Sequence, residues 1–183
     1  KRHNLRFHLD GARIFNSAIA QGVDIVELTG DCDSVMFCLS KGLASPVGSI
    51  IAGTKVFIKE ARRIRKMLGG VMRQTGILAA CGIISLEEMI DRLAEDHDNA
   101  RYLANGLEGI DGFSINLKTV QTNIVCFKFE LPNLSCKEFV GNVTKKGVYV
   151  VHLYKDSGRM VTHMDLNRSD VDYALEVFKD SVF

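Results

Sequence analysis

The chain has 183 residues, 46% of them hydrophobic and 25% charged, with a formal net charge of +1. That length can bury one core plus a small second domain, and the near-neutral balance, without RNA-binding or zinc-finger spacing, gives no footing for nucleic acid or an anionic membrane as partner. No apolar stretch reaches the roughly 18 residues of a spanning helix.

The five cysteines, Cys32, Cys38, Cys81, Cys126 and Cys136, are odd in number and widely spaced. They read as reduced, mostly buried thiols of a cytoplasmic protein, an organellar matrix being the other compartment that fits, and no metal site is expected.

In chain order, Leu5-Arg6-Phe7 is an apolar approach to His8-Leu9-Asp10-Gly11-Ala12-Arg13. An Asp at the carboxyl end of a strand, beside a Gly that lets the chain turn sharply, directs its carboxylate into the crevice where α/β sheets hold ligands. Taken alone, an Asp-Gly pair is more often a turn. Ile14, Phe15, Ala18 and Ile19 line one helical face over 12–21, which Gly22 stops, and 23–28 and 34–39 read as short extended runs.

Directly after the second run comes Ser40-Lys41-Gly42, followed by the small-residue loop 43–48. A lysine at the end of a buried strand loses hydration, which favours the neutral amine that attacks a carbonyl to form a Schiff base. On residue type alone a snorkelling lysine is the commoner role; Asp10 upstream changes the weighting. A carboxylate against a pyridine nitrogen and a lysine for an aldehyde are the two groups that pyridoxal phosphate requires.

Residues 46–52 read as the next strand, closed by Gly53. Thr54 then caps a helix through Val56, Phe57, Ala61, Ile64 and Met67, with the basic residues of 59–66 on its polar face and Gly69-Gly70 at its end. Strand alternating with helix implies a mostly parallel sheet. Residues 75–107 carry apolar positions at helical intervals, as two helices or one broken one, and the glycines at 106, 109 and 112 place the domain boundary between 1–107 and 108–183. Beyond it the pattern is α+β, with strands near 113–117, 122–129, 148–153 and 159–162. Helices start near Ser135, where Glu138 completes a capping box, and near Asn167. His97, beside Glu95 and Asp96, reads as part of a polar helix face, and His152 and His163 as structural.

The motifs His8-Leu9-Asp10-Gly11-Ala12-Arg13, Cys38-Leu39-Ser40-Lys41-Gly42 with Pro46-Val47-Gly48-Ser49, Arg65-Lys66-Met67-Leu68-Gly69-Gly70-Val71-Met72-Arg73-Gln74, Glu95-Asp96-His97 and Val161-Thr162-His163-Met164-Asp165 follow one another along the whole chain. Together they closely resemble low-specificity L-threonine aldolases of the beta-eliminating lyase type, which are fold-type I pyridoxal phosphate enzymes. The resemblance implies an α/β, aspartate aminotransferase-like fold. Residues 1–107 would form the C-terminal part of the large, cofactor-binding domain with its mostly parallel sheet, and 108–183 a small α+β domain. It further implies retro-aldol cleavage of L-threonine or L-allo-threonine to glycine and acetaldehyde, with pyridoxal 5'-phosphate as cofactor, Lys41 as its aldimine lysine and Asp10 at the ring nitrogen.

The same resemblance implies roles for three arginines. Arg159, after Ser157-Gly158, would bind the amino-acid α-carboxylate, which a planar fork of donors matches bidentately; outside the resemblance it reads as a solvated arginine. Arg13 would serve the same pocket, its alternative being a solvent-facing arginine that the helix dipole disfavours in a first turn. Arg73, at a glycine-flanked bend, would reach the cofactor phosphate of a neighbouring subunit, which implies a homodimer or homotetramer. His8, two positions before Asp10 and so on its side of a strand, either orients that carboxylate or packs. Ser40 either donates to the phosphate or ends the strand.

Members of the resembled family carry a phosphate-gripping loop and a ring-stacking residue ahead of this region, so the chain is expected to correspond to the C-terminal half of such an enzyme. Two other readings stand beside it. Another fold-type I lyase or a serine hydroxymethyltransferase would keep the Asp and the Lys. A catalytically incomplete module that only folds or pairs with subunits would leave a sheet edge and face uncovered.

Overall fold

In the computed structural model, which describes residues 3 and 5–182, the chain divides into two compact units, Lys1–Leu93 and Ala94–Phe183. This division lies ahead of the glycines at 106–112 that suggested one between 107 and 108. Gly112, with φ 85°, instead turns the chain from a helix end into the first strand of the second unit.

The first unit contains β1 (His8–Asp10), α1 (Ile14–Gln21), α2 (Ile25–Thr29), β2 (Ser34–Cys38), β3 (Ser49–Gly53), α3 (Lys55–Met67) and α4 (Gly76–Glu88). Its sheet has the order β1-β2-β3. β1 runs parallel to β2, with Asp10 opposite Met36, while β2 runs antiparallel to β3. The mostly parallel sheet expected from strand–helix alternation is therefore mixed among the described strands, because the loop from 40 to 48 reverses the chain without a crossover helix. The approach to β1 is fastened by Asp33, whose Oδ2 accepts the Phe7 amide at 2.8 Å and whose Oδ1 accepts from Arg6 Nη1 at 2.8 Å. The Phe7 amide first, and the Arg6 guanidinium second, hold the Asp33 carboxyl below its ordinary range.

The run 23–28, expected to be extended, is helical from Ile25 onward. The β-branched Val23, Ile25 and Val26 suggest a strand, but Asp24 caps α2 by accepting the Val26 amide at 2.7 Å, and Glu27 completes a capping box. α1 closes on Gly22, whose φ of 64° makes it a left-handed C-cap. Thr54 Oγ1 accepts the Phe57 amide at 3.3 Å and caps α3 as expected.

The buried cluster of this unit is small: Leu39, Leu43 and Leu93, with Phe15, Ile19, Phe37, Met89 and Ile90 packed against it. Phe15 and Phe37 meet edge to face at 5.2 Å. By contrast every residue of β3 is exposed, and Val56 on α3 and Ile77 on α4 are 81% and 75% accessible.

The second unit contains most of α5 (Leu93–Glu108), then β4 (Phe113–Ser114), β5 (Ile124–Phe129), α6 (Cys136–Lys145), β6 (Val151–Tyr154), β7 (Ser157–Val161) and α7 (Arg168–Lys179). The sheet order is β4-β5-β7-β6, antiparallel throughout. Residues 113–117 yield only a two-residue strand, because the Asn116 side chain accepts the Lys118 amide and starts a 3-10 turn at Leu117. Val125, Phe127 and Phe129 alternate inward along β5 and pack with Phe139 and Val143 of α6 and Val171, Leu175 and Phe178 of α7. Gly158 lies under the Phe127 ring, which would occupy the space of any Cβ there.

α6 starts with the expected capping box. Glu138 donates its amide to Ser135 Oγ at 3.2 Å, and its Oε2 accepts the Ser135 amide at 3.0 Å. The Ser135 hydroxyl and then the Ser135 amide hold the Glu138 carboxyl below its ordinary range. Ser135→Ala should destabilise the second unit by about 1 kcal/mol. Because the folded carboxyl titrates below the unfolded one, the contribution of this contact is full above the unfolded value and fades as pH falls through the folded one. Urea unfolding of wild type and variant at neutral and acidic pH measures both effects, and their difference should shrink in acid.

Two sequence expectations are corrected in the side chains. Of the five free cysteines only Cys136 is buried, Cys126 is exposed and the other three are half-buried, since Cys126 occupies an outward position of β5. His97 is buried on α5 rather than on a polar face, and burial pushes its imidazole below its ordinary value. Among the described residues no helix is long and apolar enough to cross a membrane.

Candidate active site

Parallel pairing of β1 with β2 puts the carboxyl ends of both strands at one edge of the sheet. Asp10 is the last residue of β1, and Lys41 follows β2 after Leu39-Ser40. The turn beyond Asp10 is tied to β2 by the Gly11 amide, which donates to the Met36 carbonyl at 2.9 Å. A Cβ on Gly11 would lie 3.0 Å from that same carbonyl oxygen, so any larger residue would press the two strands apart there. Asp10 Oδ1 accepts the Ala12 amide at 3.2 Å, which fixes the carboxylate at the strand end. Arg13, half-buried, is the N-cap residue of α1 just past this turn.

The Lys41 loop is compact. The Leu39 and Ser40 amides donate to the Gly48 carbonyl at 3.0 and 3.3 Å, and the Ala44 amide donates to the Lys41 carbonyl at 2.9 Å. Lys41, Ser40 and Asp10 are all exposed. The loss of hydration expected for Lys41 is therefore not supplied by the described residues: β2 is flanked by the short, exposed β1 and by β3, and nothing described covers the sheet edge where the amine emerges.

His8 shares the exposed side of β1 with Asp10, but its Nδ1 meets Ser34 Oγ at 2.8 Å, so that ring nitrogen engages Ser34 and not the carboxylate. Arg73 is exposed in the turn before α4, next to Gln74, whose φ of 53° is left-handed. Arg159 belongs to the second unit. It sits mid-strand on β7, between Cys126 of β5 and Val151 of β6, half-buried and with Nε enclosed and unpaired. The first unit thus brings Asp10, Arg13, Ser40 and Lys41 to one sheet edge, while Arg159 occupies the outer face of a separate sheet. Asp33 and Ser34, which hold the approach to β1 and the His8 ring, carried no sequence signal, since partners across a parallel pair are invisible locally. Among the described residues no cluster of His, Cys, Asp and Glu is placed to hold a metal ion.

An acid and a primary amine delivered by adjacent parallel strands to one edge fit a pyridoxal phosphate site, and the fold is that of the pyridoxal phosphate-dependent transferases. The chain aligns over 99% of its length with rice TDC, solved with PLP, at a TM-score of 0.76 and 16% identity, covering 42% of that protein. With Leishmania major threonine aldolase it aligns over 100% of its length at a TM-score of 0.74 and 19% identity, covering 53% of that chain. Residues 1–130 match the beta-eliminating lyase family, and the chain belongs to that family. It is 39% identical over 183 residues to low-specificity L-threonine aldolase 1 of Arabidopsis thaliana, covering 100% of this chain and 51% of the relative. The chain therefore spans about half the length of the curated relatives it matches.

Proposed function

We propose that this chain supplies the lysine, the ring-nitrogen acid and the carboxylate-binding arginine of a pyridoxal phosphate-dependent threonine aldolase, which cleaves L-threonine or L-allo-threonine to glycine and acetaldehyde. The observation that carries this reading is the common edge at which β1 ends in Asp10 and β2 leads into Lys41. When bound, the cofactor supplies an electron sink for the pair released as the Cα–Cβ bond breaks. Lys41 contributes the amine that meets the aldehyde and exchanges protons at the substrate. Asp10, oriented by the Ala12 amide, holds a proton at the pyridine nitrogen. The exposed hydroxyl of Ser40 serves the phosphate, and His8 keeps a packing role through Ser34.

Arg159 is the candidate for the substrate α-carboxylate, and Arg13, beside Asp10 in the first unit, is a second candidate for the same group. The enclosed, unpaired Nε of Arg159 supports this role, because a buried donor without a partner is costly unless a ligand satisfies it. Arg73 serves the phosphate of a second subunit in a cytoplasmic homodimer or homotetramer. Since the exposed Lys41 and Asp10 need cover to leave water, the 183-residue chain alone is inactive.

Full-length protein mixed with pyridoxal phosphate and L-threonine should release glycine and acetaldehyde in equal amounts; no acetaldehyde from either threonine isomer refutes the reading. Arg159→Ala should raise KM for L-threonine roughly ten- to hundredfold, the worth of a charge-assisted hydrogen bond. The same variant should bind carboxylate-free 1-aminopropan-2-ol as wild type does, measured by competition.

A further inference from the structure

Lys41 sits on a loop whose shape the surroundings impose. Ala44 has φ 57°, a left-handed conformation that a residue with a Cβ adopts only where neighbours over-determine it. Its amide closes a turn onto the carbonyl of Lys41 itself, so the backbone that aims the lysine depends on Ala44 staying left-handed. Three contacts constrain the loop. Gly42 is pressed so close to Asn16 and Leu93 that a Cβ would lie 2.9 Å from each. Leu43 is buried in the small apolar cluster. Ser45, two residues after Leu43, is buried as well, donates its amide to the Leu39 carbonyl at 3.0 Å, and places its hydroxyl 2.7 Å from that of Ser85 on α4.

Ser45 and Ser85 are 6% and 4% accessible, on an apolar helix and beside an apolar cluster. Of two hydroxyls enclosed in this way, one donates its proton to the oxygen of the other. Directional contact fixes the Ser45 position along the helix, which the non-directional packing of Leu43 does not.

We propose that the buried Ser45–Ser85 hydroxyl pair is a positioning device for Lys41, locking the loop to α4 so that the amine emerges at the Asp10 edge. This inference rests on the reading of Lys41 as the cofactor-holding lysine. Without the pair, Ala44 relaxes from its left-handed state, the Lys41 carbonyl swings, and the amine is displaced; a misplacement near 1 Å costs roughly a hundredfold in rate.

The test uses full-length protein, pyridoxal phosphate as the probe, and borohydride reduction, with the label at Lys41 and at the exposed control Lys55 read by peptide mass. Ser85→Ala leaves the Ser45 hydroxyl without its partner and should lower both thermal stability and the rate of capture at Lys41. The double variant Ser45→Ala, Ser85→Ala removes both hydroxyls and should regain stability, since deleting both partners leaves no orphaned group. Its capture rate at Lys41 should nonetheless stay at least roughly tenfold below wild type, with Lys55 unaffected. Capture at the wild-type rate in the stable double variant overturns the inference while leaving the reading of Lys41 intact. Wild-type protein that labels Lys55 but not Lys41 overturns both.

Discussion

Replacing Lys41 with alanine is expected to abolish threonine cleavage by the full-length protein, lowering kcat/KM by roughly a hundred- to ten-thousandfold or more. The substitution removes the primary amine that, at the Asp10 edge, combines a nucleophilic nitrogen with the capacity to carry a proton. Lys41→Arg should not rescue it, because a guanidinium stays protonated and does not add to an aldehyde. Both variants should fold normally. Within this chain the Lys41 side chain is exposed, so its replacement removes little packing from the described fold. Acetaldehyde release, borohydride capture and urea unfolding, measured on the same preparations, separate loss of chemistry from loss of fold. A Lys41→Ala protein that retains cleavage would show that the amine is elsewhere.

Local signals carried far in this chain and then stopped where pairing began. Thr54, Ser135 and Asn167 each announce a helix by a hydroxyl or amide placed to accept a first-turn amide, and each caps one. Asp24 with Glu27 makes the same announcement. The β-branched run 23–26 masked it, and the capping chemistry prevailed over propensity. The direction of β3 is not written in its own residues: Ser49–Gly53 reads the same whether it lies parallel or antiparallel to β2, and the short loop decides. The exposure of Lys41 was illegible for a related reason. A lysine after an apolar run signals a strand end, but whether water reaches it depends on what covers the sheet edge.

The candidate residues stand out in the sequence more clearly than their surroundings do. Asp10 and Lys41 are recognisable because a strand end, a glycine turn and an isolated charge coincide, and those are local. Arg159 needed the resemblance, since mid-strand position, an enclosed Nε and the flanking Cys126 and Val151 arise from register in an antiparallel sheet. Ser45 and Ser85 were invisible, because a serine after a small-residue loop and another on an apolar helix announce no partner until α4 lies against the loop.

Phe139→Ala should be the most destabilising substitution in the second unit. Phe139 is fully buried and its ring lies 4.5 Å from Phe129, 5.3 Å from Phe113 and 5.7 Å from Phe178, so it joins α6 to strands β4 and β5 and to α7 at once. Truncation deletes ring contacts on three sides and leaves a cavity that elements held by separate hydrogen bonds do not readily close, a loss of about 3–5 kcal/mol. Tyr149→Ala, at a side chain that is 83% exposed, should cost less than about 0.5 kcal/mol. Cys136 reports the difference without a full unfolding curve. It starts the same helix, is 1% accessible, and its thiol is pushed above its ordinary value by burial, so it reacts with a thiol reagent only when the unit opens. Labelling of Cys136 in Phe139→Ala should run roughly a hundredfold or more faster than in wild type, while the exposed Cys126 labels at an unchanged rate. Equal Cys136 rates in Phe139→Ala and Tyr149→Ala would mean that the ring cluster is not what closes this core.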